Sequence, residues 1–493
     1  MADWSTNGHD LANTRSNPDE TKINPKNAHK LAVKWTYTTN GDVSATPAVV
    51  GKAVYFPDWG GYLHKVDAKT GKKIWSHRVS DYTGNEGSLS RTSPTVVGNT
   101  LYIGDATKAI LMAIDTTTGK LRWSRNLDSH SQAALTQAPV VHDGVVYQGV
   151  SSSESQAAGD PDYPCCTFRG SANAVDAKTG KVLWRQYTVP DNGGKPGGYS
   201  GGAIWGTPAI DPRTRTIYFT TGQNYHVPQS VTECQNTGKK PHECYSEDNH
   251  IDSVLALDMR NGKIKWAAGA RLFDAWNAAC VPGLPPKNCP ASVGPDYDFG
   301  EGSHLFTIRQ KGVERLVIGA GQKTGEYWLL DAKTGEVVWS AAPAPGGKIG
   351  GIMWGTAYDG KRIYLNEANF DKKTYTMADG TTTSGSSFAA LDPATGKILW
   401  QIADPSDGIA WGALTAANDV LYASSTSGHM YAIEGATGKV LWDFKGPYSS
   451  MAGPAVVDGT VYWGNGYSRF GYIPGVTGST TTGTFYAFSV DGK

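Results

Sequence analysis

The chain lacks any excess of one charge: 45 lysines and arginines balance 45 aspartates and glutamates over 493 residues. Without a general field, neither nucleic acid nor an anionic bilayer is an expected partner. It also lacks a run of about eighteen apolar residues, so no helical membrane span is expected. No CxxCH string occurs, which excludes a c-type haem on this chain. No GxGxxG opens a helix after a strand, and no HExxH is present. The 11 histidines, His130 and His250 among them, are scattered without zinc spacing. The opening MADWSTNGHD has no charged-then-apolar leader. That leaves two readings, a cytosolic protein or an exported one whose signal peptide was replaced by a start methionine. Cysteine is scarce but patterned. Six residues fall into three local groups, Cys165 with Cys166, Cys234 with Cys244 and Cys280 with Cys289, none in CxxC spacing. An even count in loop-borne pairs suggests three disulfides and an oxidising compartment, periplasmic or secreted; six unrelated reduced thiols are the alternative.

What the chain has in abundance is glycine (60 residues, against a usual share of roughly 7%), with 16 tryptophans and 24 tyrosines. These concentrate in one motif. Residues 174–184, AVDAKTGKVLW, read as a strand end, a tight turn and the start of the next strand. The aspartate can bond the turn backbone, the glycine can take a positive φ, and the tryptophan anchors the returning strand. The pattern repeats at 65–75, 113–123, 256–266, 329–339, 390–400 and 432–442, with a clipped copy at 487–493. Eight copies predict an all-β, eight-bladed β-propeller with tryptophan-docking repeats, built as one domain over 1–493. Proline-led strands such as TPAVV (46–50) and SPTVV (93–97), and alternating strands such as AVYFP and TLYIG, supply four short strands per blade. Residues 1–35 are expected to form a wrapping arm and a closing strand ending in Trp35, which joins the last blade and leaves no open edge.

The spacing between repeats is uneven. The gap from Asp392 to Glu434 is close to a bare blade, whereas 185–250 and 267–300 hold long insertions containing the Cys234/Cys244 and Cys280/Cys289 pairs. Long insertions pinned by disulfides are usually functional. They are expected to stack on one face and shape a mouth there.

A propeller alone says nothing about function, but several segments resemble one family. From DWSTNGHDLANTR to the last blade, the chain resembles the eight-bladed quinoproteins that bind pyrroloquinoline quinone with calcium or a lanthanide, and among them the polyvinyl-alcohol dehydrogenase-like enzymes. In LTQAPVVHDGVVYQGVSSSE (135–154) the resemblance implies that Thr136 and Ser151 bond the quinone's carboxylates and Glu154 ligates the metal, a hard cation suited to oxygen donors. In GGAIWGTPAIDP (201–212) it makes Trp205 the flat floor under the quinone. In TTGQN (220–224) it implies an amide metal ligand, Gln223 by strict counting or Asn224 by residue type. In GPDYDFGEG (294–302) it implies the catalytic aspartate. Asp298 is read as general base and Asp296 as facing the metal, with the roles exchanged under a lanthanide-type alignment. Lys323, in GQKTGEYWLL, matches a residue touching the quinone oxygens; a solvated turn lysine is the plain alternative. Arg91 matches a partner of a quinone carboxylate, Asn369 a residue at the cofactor rim, and Ser44 stands where a carboxylate is usual. Two adjacent cysteines can close only a strained eight-membered ring. The family stacks such a ring on the quinone face opposite the tryptophan; here Cys165 and Cys166 follow the glutamate motif instead, and pairing elsewhere or free thiols stay open.

The activity this resemblance implies is oxidation of a secondary or polymeric alcohol, with electrons leaving to an external acceptor such as cytochrome c. Another bulky alcohol, such as a sugar alcohol or a hydroxylated toxin, is the alternative substrate. A non-catalytic scaffold propeller explains the repeats equally well, but not Glu154, Trp205, the adjacent cysteines and the Asp296/Asp298 pair together.

Overall fold

The computed structural model describes residues 3–269 and 272–493. Residues 270 and 271, inside the 267–300 insertion, and the first two residues of the arm lie outside the described residues. Among the described residues eight sheets follow one another along the chain, each built on four antiparallel strands, and two carry a short fifth strand, Ala133–Ala134 in the third and the parallel Ser16–Asn17 in the seventh. The first is Ala48–Val50, Ala53–Pro57, Tyr62–Asp67 and Lys73–Arg78; the fourth is Ala209–Asp211, Thr216–Thr220, Ser253–Asp258 and Ile264–Gly269. The eighth takes its outermost strand from the start of the chain. Leu31–Thr39 pairs antiparallel with Gly483–Val490, so the ring closes and that edge is covered.

The repeat explains how blades are fastened. Asp176 Oδ1 accepts the N–H groups of Lys178 and Thr179, closing the turn, and Gly180 sits at φ 72°. A Cβ on Gly180 would come within 2.7 Å of the Trp123 ring of the preceding blade. Only a bare, left-handed glycine therefore lets that indole lie flat on the turn. Trp123 Nε1 then donates to the carbonyl of Ala177 at 3.0 Å. The same bond recurs from Trp35 to Ala68, Trp75 to Thr116, Trp184 to Met259, Trp266 to Ala332, Trp339 to Pro393 and Trp400 to Gly435. The clipped copy at the C-terminus has no such turn, and there Trp442 packs edge-on against Phe488.

The arm does more than deliver a strand. Trp4, Ser5, Leu11, Ala12, Thr14, Arg15 and Asn17 hydrogen-bond, in turn, Val49, Val96, Ile210, Leu305, Tyr358, Ala416 and Val456. These partners belong to the first strands of seven different blades, so residues 4–17 run around one end of the central channel. Arg15 is fully buried there, bonding Leu414 O at 2.6 Å, Asn7 and Thr46. Burial pulls its guanidinium down to about 10, against the counter-pull of Glu301.

Candidate active site

Each blade's first strand is preceded by a short segment, and all eight segments line one cavity on the axis: 44–46, 91–93, 136–138, 205–207, 300–302, 354–355, 413 and 451–453 contribute. Its empty volume is about 710 Å³, open solvent included. Arg91, Thr136 and Trp205 from the sequence reading all line it, as does Ser44. Arg91 Nη1 donates to Tyr467 Oη at 3.1 Å, and its guanidinium lies 5.3 Å from the Trp354 ring centroid. Ser44 Oγ accepts the Trp59 indole N–H. Thr136 Oγ1 is buried without a partner, an anomaly for a hydroxyl that ordinarily finds one. A polar group entering the cavity would satisfy it.

Trp205 joins this cavity to an acidic pocket. Its Nε1 donates to Asp298 Oδ2 at 3.1 Å, while its ring meets Trp354 edge-on at 5.4 Å. Asp298 Oδ1 and Asp296 Oδ1 both accept from Lys323 Nζ, at 2.9 and 3.1 Å. All three side chains are buried. Burial works against the Lys323 ammonium, but the two aspartates outweigh it and hold the lysine protonated; the solvated turn lysine is not what is seen. Burial pushes the Asp296 carboxyl well up, with Lys323 opposing. Asp296 also adopts φ 64°, a backbone state unusual for a residue with a side chain. Two further buried carboxylates stand close. Asp274 accepts the N–H groups of Asp296 and Tyr297, and burial pushes it up to about 6 despite them. Asp252 keeps a buried Oδ1 with no partner, and burial together with Asp274 raises it well above the usual range.

The structure gives Glu154 a definite set of contacts. It is fully buried at the start of a four-residue helical turn, Glu154–Ala157. Oε1 accepts from Tyr163 Oη and Thr167 N and lies 3.3 Å from His130 Nε2; Oε2 accepts from Phe168 N at 2.8 Å. Thr167 and Phe168 directly follow Cys166, so Glu154 grips the loop of the adjacent cysteines. These are bonded to each other, and the other two bridges are Cys234–Cys244 and Cys280–Cys289. Cys165, Cys166 and Trp205 belong to one apolar cluster with Phe168 and Tyr225. The cysteine loop and Trp205 thus border the same apolar cluster, although the cysteines sit at a displaced position in the chain.

Of the two amides, Asn224 is consumed. Its side chain exchanges hydrogen bonds with Asn249 in both directions and donates to Ser200 O. Gln223 donates to Trp276 O at 3.4 Å, and among the described residues its carbonyl oxygen accepts nothing. Asn369 does not lie free at a rim: its amide donates to Lys373, Ser384 and Gly385 carbonyls and accepts from Lys373 N, fastening a loop. Ser151 is buried opposite Ala134. Among the described residues no three His, Cys, Asp or Glu side chains form a ready-made metal cluster; Glu154 is turned to backbone N–H groups, and Lys323 occupies the space the two aspartates address. One string, GYSGG (198–202), fits G-x-S-x-G. Ser200 is fully buried on a strand paired with Asn224–His226, so it is no exposed nucleophile. Sequence reading missed Asp274, Asp252 and Asn277, because each acts across loops with no local pattern to mark it.

The family model described as glucose/ethanol/alcohol dehydrogenase, beta-propeller domain, matches residues 128–281, and that of outer membrane protein assembly factor BamB matches 27–160 and 384–470. A polyvinylalcohol dehydrogenase of a Sphingopyxis species is 30% identical, over 94% of this chain and 73% of that protein. One from a Pseudomonas species is 28% identical over 99% and 77%. The solved structure of quinohemoprotein alcohol dehydrogenase from Comamonas testosteroni superposes with a TM-score of 0.75 at 22% identity, covering 100% of this chain and 81% of that one. At that identity it speaks for the fold.

Proposed function

Since the chain belongs to the pyrroloquinoline-quinone-dependent propeller alcohol dehydrogenase family, and so is an oxidoreductase acting on alcohols, we propose that it oxidises secondary alcohols to ketones, polymeric ones resembling polyvinyl alcohol included. Electrons then pass to a separate carrier such as cytochrome c. The observation that carries this reading is the indole N–H of Trp205 on Asp298, which joins a flat apolar floor to a buried carboxylate. The bound quinone, polarised by a calcium or lanthanide ion, supplies the hydride acceptor. The lining suits the quinone, with an unpartnered hydroxyl, an arginine and an indole for a planar polyanion; for the ion it offers hard oxygens that are already bonded, Glu154 to backbone N–H groups and Asp296 to Lys323.

In this reading Arg91, Thr136 and Ser151 would hold the quinone's carboxylates, and Trp205 and the Cys165–Cys166 ring would pack against it. Gln223, rather than Asn224, would offer the amide oxygen to the ion, and Glu154 and Asp296 would serve as its carboxylates once released from those partners. Asp298 removes the hydroxyl proton as the carbon gives up hydride. Lys323 holds that aspartate in place until the alcohol arrives. Three disulfides suit a periplasmic or secreted setting. Among the described residues no helix is long and apolar enough to cross a membrane.

The test is reconstitution. Dye-linked oxidation of secondary alcohols should appear only when pyrroloquinoline quinone and a calcium or lanthanide ion are added together to the metal-free protein. Nicotinamide-dependent turnover, or absence of any quinone binding in an absorption titration, defeats the reading in favour of a scaffold.

A further inference from the structure

One four-residue strip, 274–277, touches three separate parts of the pocket. The Asp274 carboxylate accepts Asp296 N–H at 2.8 Å through Oδ1 and Tyr297 N–H at 2.6 Å through Oδ2. The strip's backbone pairs with the amide strand: Asn224 N–H donates to Asp274 O at 3.0 Å, and Trp276 N–H to Asn224 O at 2.9 Å. Gln223 adds its side-chain bond to Trp276 O. At the far end Asn277 Nδ2 donates to Tyr225 O at 3.0 Å and Asn288 O at 2.8 Å, and lies 3.9 Å from Cys165 Sγ. The strip is itself held, because Tyr245 Oη receives the Asp274 N–H and the Cys280–Cys289 bridge closes the next loop.

We propose that Asp274 is a positioning residue for alcohol oxidation: its carboxylate orients the loop bearing Asp296 and Asp298, so that the base and the ion-facing carboxylate point into the pocket together. This rests on the reading of Asp296 and Asp298 given above. The physical ground is the geometry of that loop. Asp296 holds a left-handed φ of 64°, a state that aspartate enters more readily than most residues with a side chain. Two adjacent N–H groups converging on one carboxylate hold it here. They form a pair of charge-assisted hydrogen bonds that no single neutral acceptor can replace. Asp274 is buried and both its oxygens are used on these N–H groups, so it spends its charge on orientation rather than on substrate. The contact is also tight: a Cβ at Gly294 would come 2.4 Å from Asp274 Oδ1 and 2.5 Å from Ala275 N.

Two variants approach the same contact from opposite sides. Asp274→Asn leaves one acceptor for two N–H groups and turns an NH2 toward the other. Gly294→Ala keeps the carboxylate and wedges it from the loop. Reconstituted with pyrroloquinoline quinone and calcium, each should lose turnover per bound quinone by about ten- to a hundredfold, the scale of a misplacement near 1 Å. The alcohol KM and the quinone dissociation constant read by absorption titration should stay close to wild type, while the unfolding midpoint falls only as far as one lost buried hydrogen bond or one overpacked contact lowers it. Asp274→Ala, without any acceptor, should fall below Asp274→Asn. A merely structural role would instead lower quinone content and spare turnover per bound quinone; that result overturns the inference. Asp296→Asn and Asp298→Asn are measured alongside. If neither impairs turnover, the reading of the acidic loop fails and the inference with it. If either does while both Asp274→Asn and Gly294→Ala turn over at the wild-type rate, the positioning role alone is refuted.

Discussion

Replacing Asp298 by asparagine separates chemistry from architecture, because the side chain keeps its shape and loses its basicity. In the wild-type pocket Asp298 Oδ2 takes the Trp205 indole N–H and Oδ1 takes Lys323 Nζ. Asparagine has one acceptor for these two donors. If its oxygen faces the lysine, its NH2 meets the indole N–H; if it faces the indole, its NH2 meets the ammonium. One buried hydrogen bond is lost either way, costing about 1–3 kcal/mol of stability, while Asp296 still neutralises Lys323 at 3.1 Å. The fold should survive that. Turnover should not, since a positioned base is worth about two to four powers of ten, or roughly 3–5 kcal/mol of activation barrier. The assay is turnover per bound quinone with a dye acceptor at saturating alcohol, with quinone affinity titrated independently. Turnover within tenfold of wild type would refute Asp298 as base. If Asp296→Asn shows the turnover loss and Asp298→Asn an altered metal dependence, the two roles are exchanged.

Other consequences are as direct. Glu367 is fully buried with neither oxygen partnered, and burial pushes its carboxyl well up, Glu301 adding to the effect. Its folded pKa exceeds the unfolded value of about 4.3, so the folded state binds the proton more tightly and stability declines as pH rises from there toward the folded value. Glu367→Gln should therefore gain about 1–3 kcal/mol over wild type at pH 8 and little at pH 4; denaturant unfolding at both pH values checks this, and a variant less stable at pH 8 contradicts it. Gly335→Ala should cost about 1–3 kcal/mol by overpacking, since its Cβ would meet the Trp266 ring at 2.6 Å from a backbone at φ 75°. Gly360→Ala, at φ 88° with open space around it, is the control for backbone strain alone. Replacing Cys165 and Cys166 together by serine should weaken quinone binding about tenfold, near 1.4 kcal/mol, with the unfolding midpoint little changed; an unaltered dissociation constant removes the ring from the cofactor site.

The sequence by itself determined the architecture, because what makes a blade is written within eleven residues. Asp176 bonds the N–H groups two and three positions on, Gly180 supplies the left-handed turn, and the tryptophan of each repeat docks on the glycine of the next. Such a code repeats, so it can be counted, and Trp35 already announces that the first strand closes the last blade. Trp205, the Asp296/Asp298 pair and Lys323 were singled out as well, each by a short segment that resembles the family, and the structure brings them together. The tertiary structure alone decided what those residues touch. Nothing in TTGQN says that Asn224 spends its amide on Asn249 while Gln223 keeps its carbonyl unused. No motif around FDAWN tells that Asp274 clasps a loop twenty-two residues on, or that Arg15 is buried under the axial cavity between segments from opposite ends of the chain. These contacts join loops of different blades, whose approach is set by closing the ring. A periodic sequence records the spacing of the blades, but it carries no signal for which non-repeating loops meet once the ring is closed.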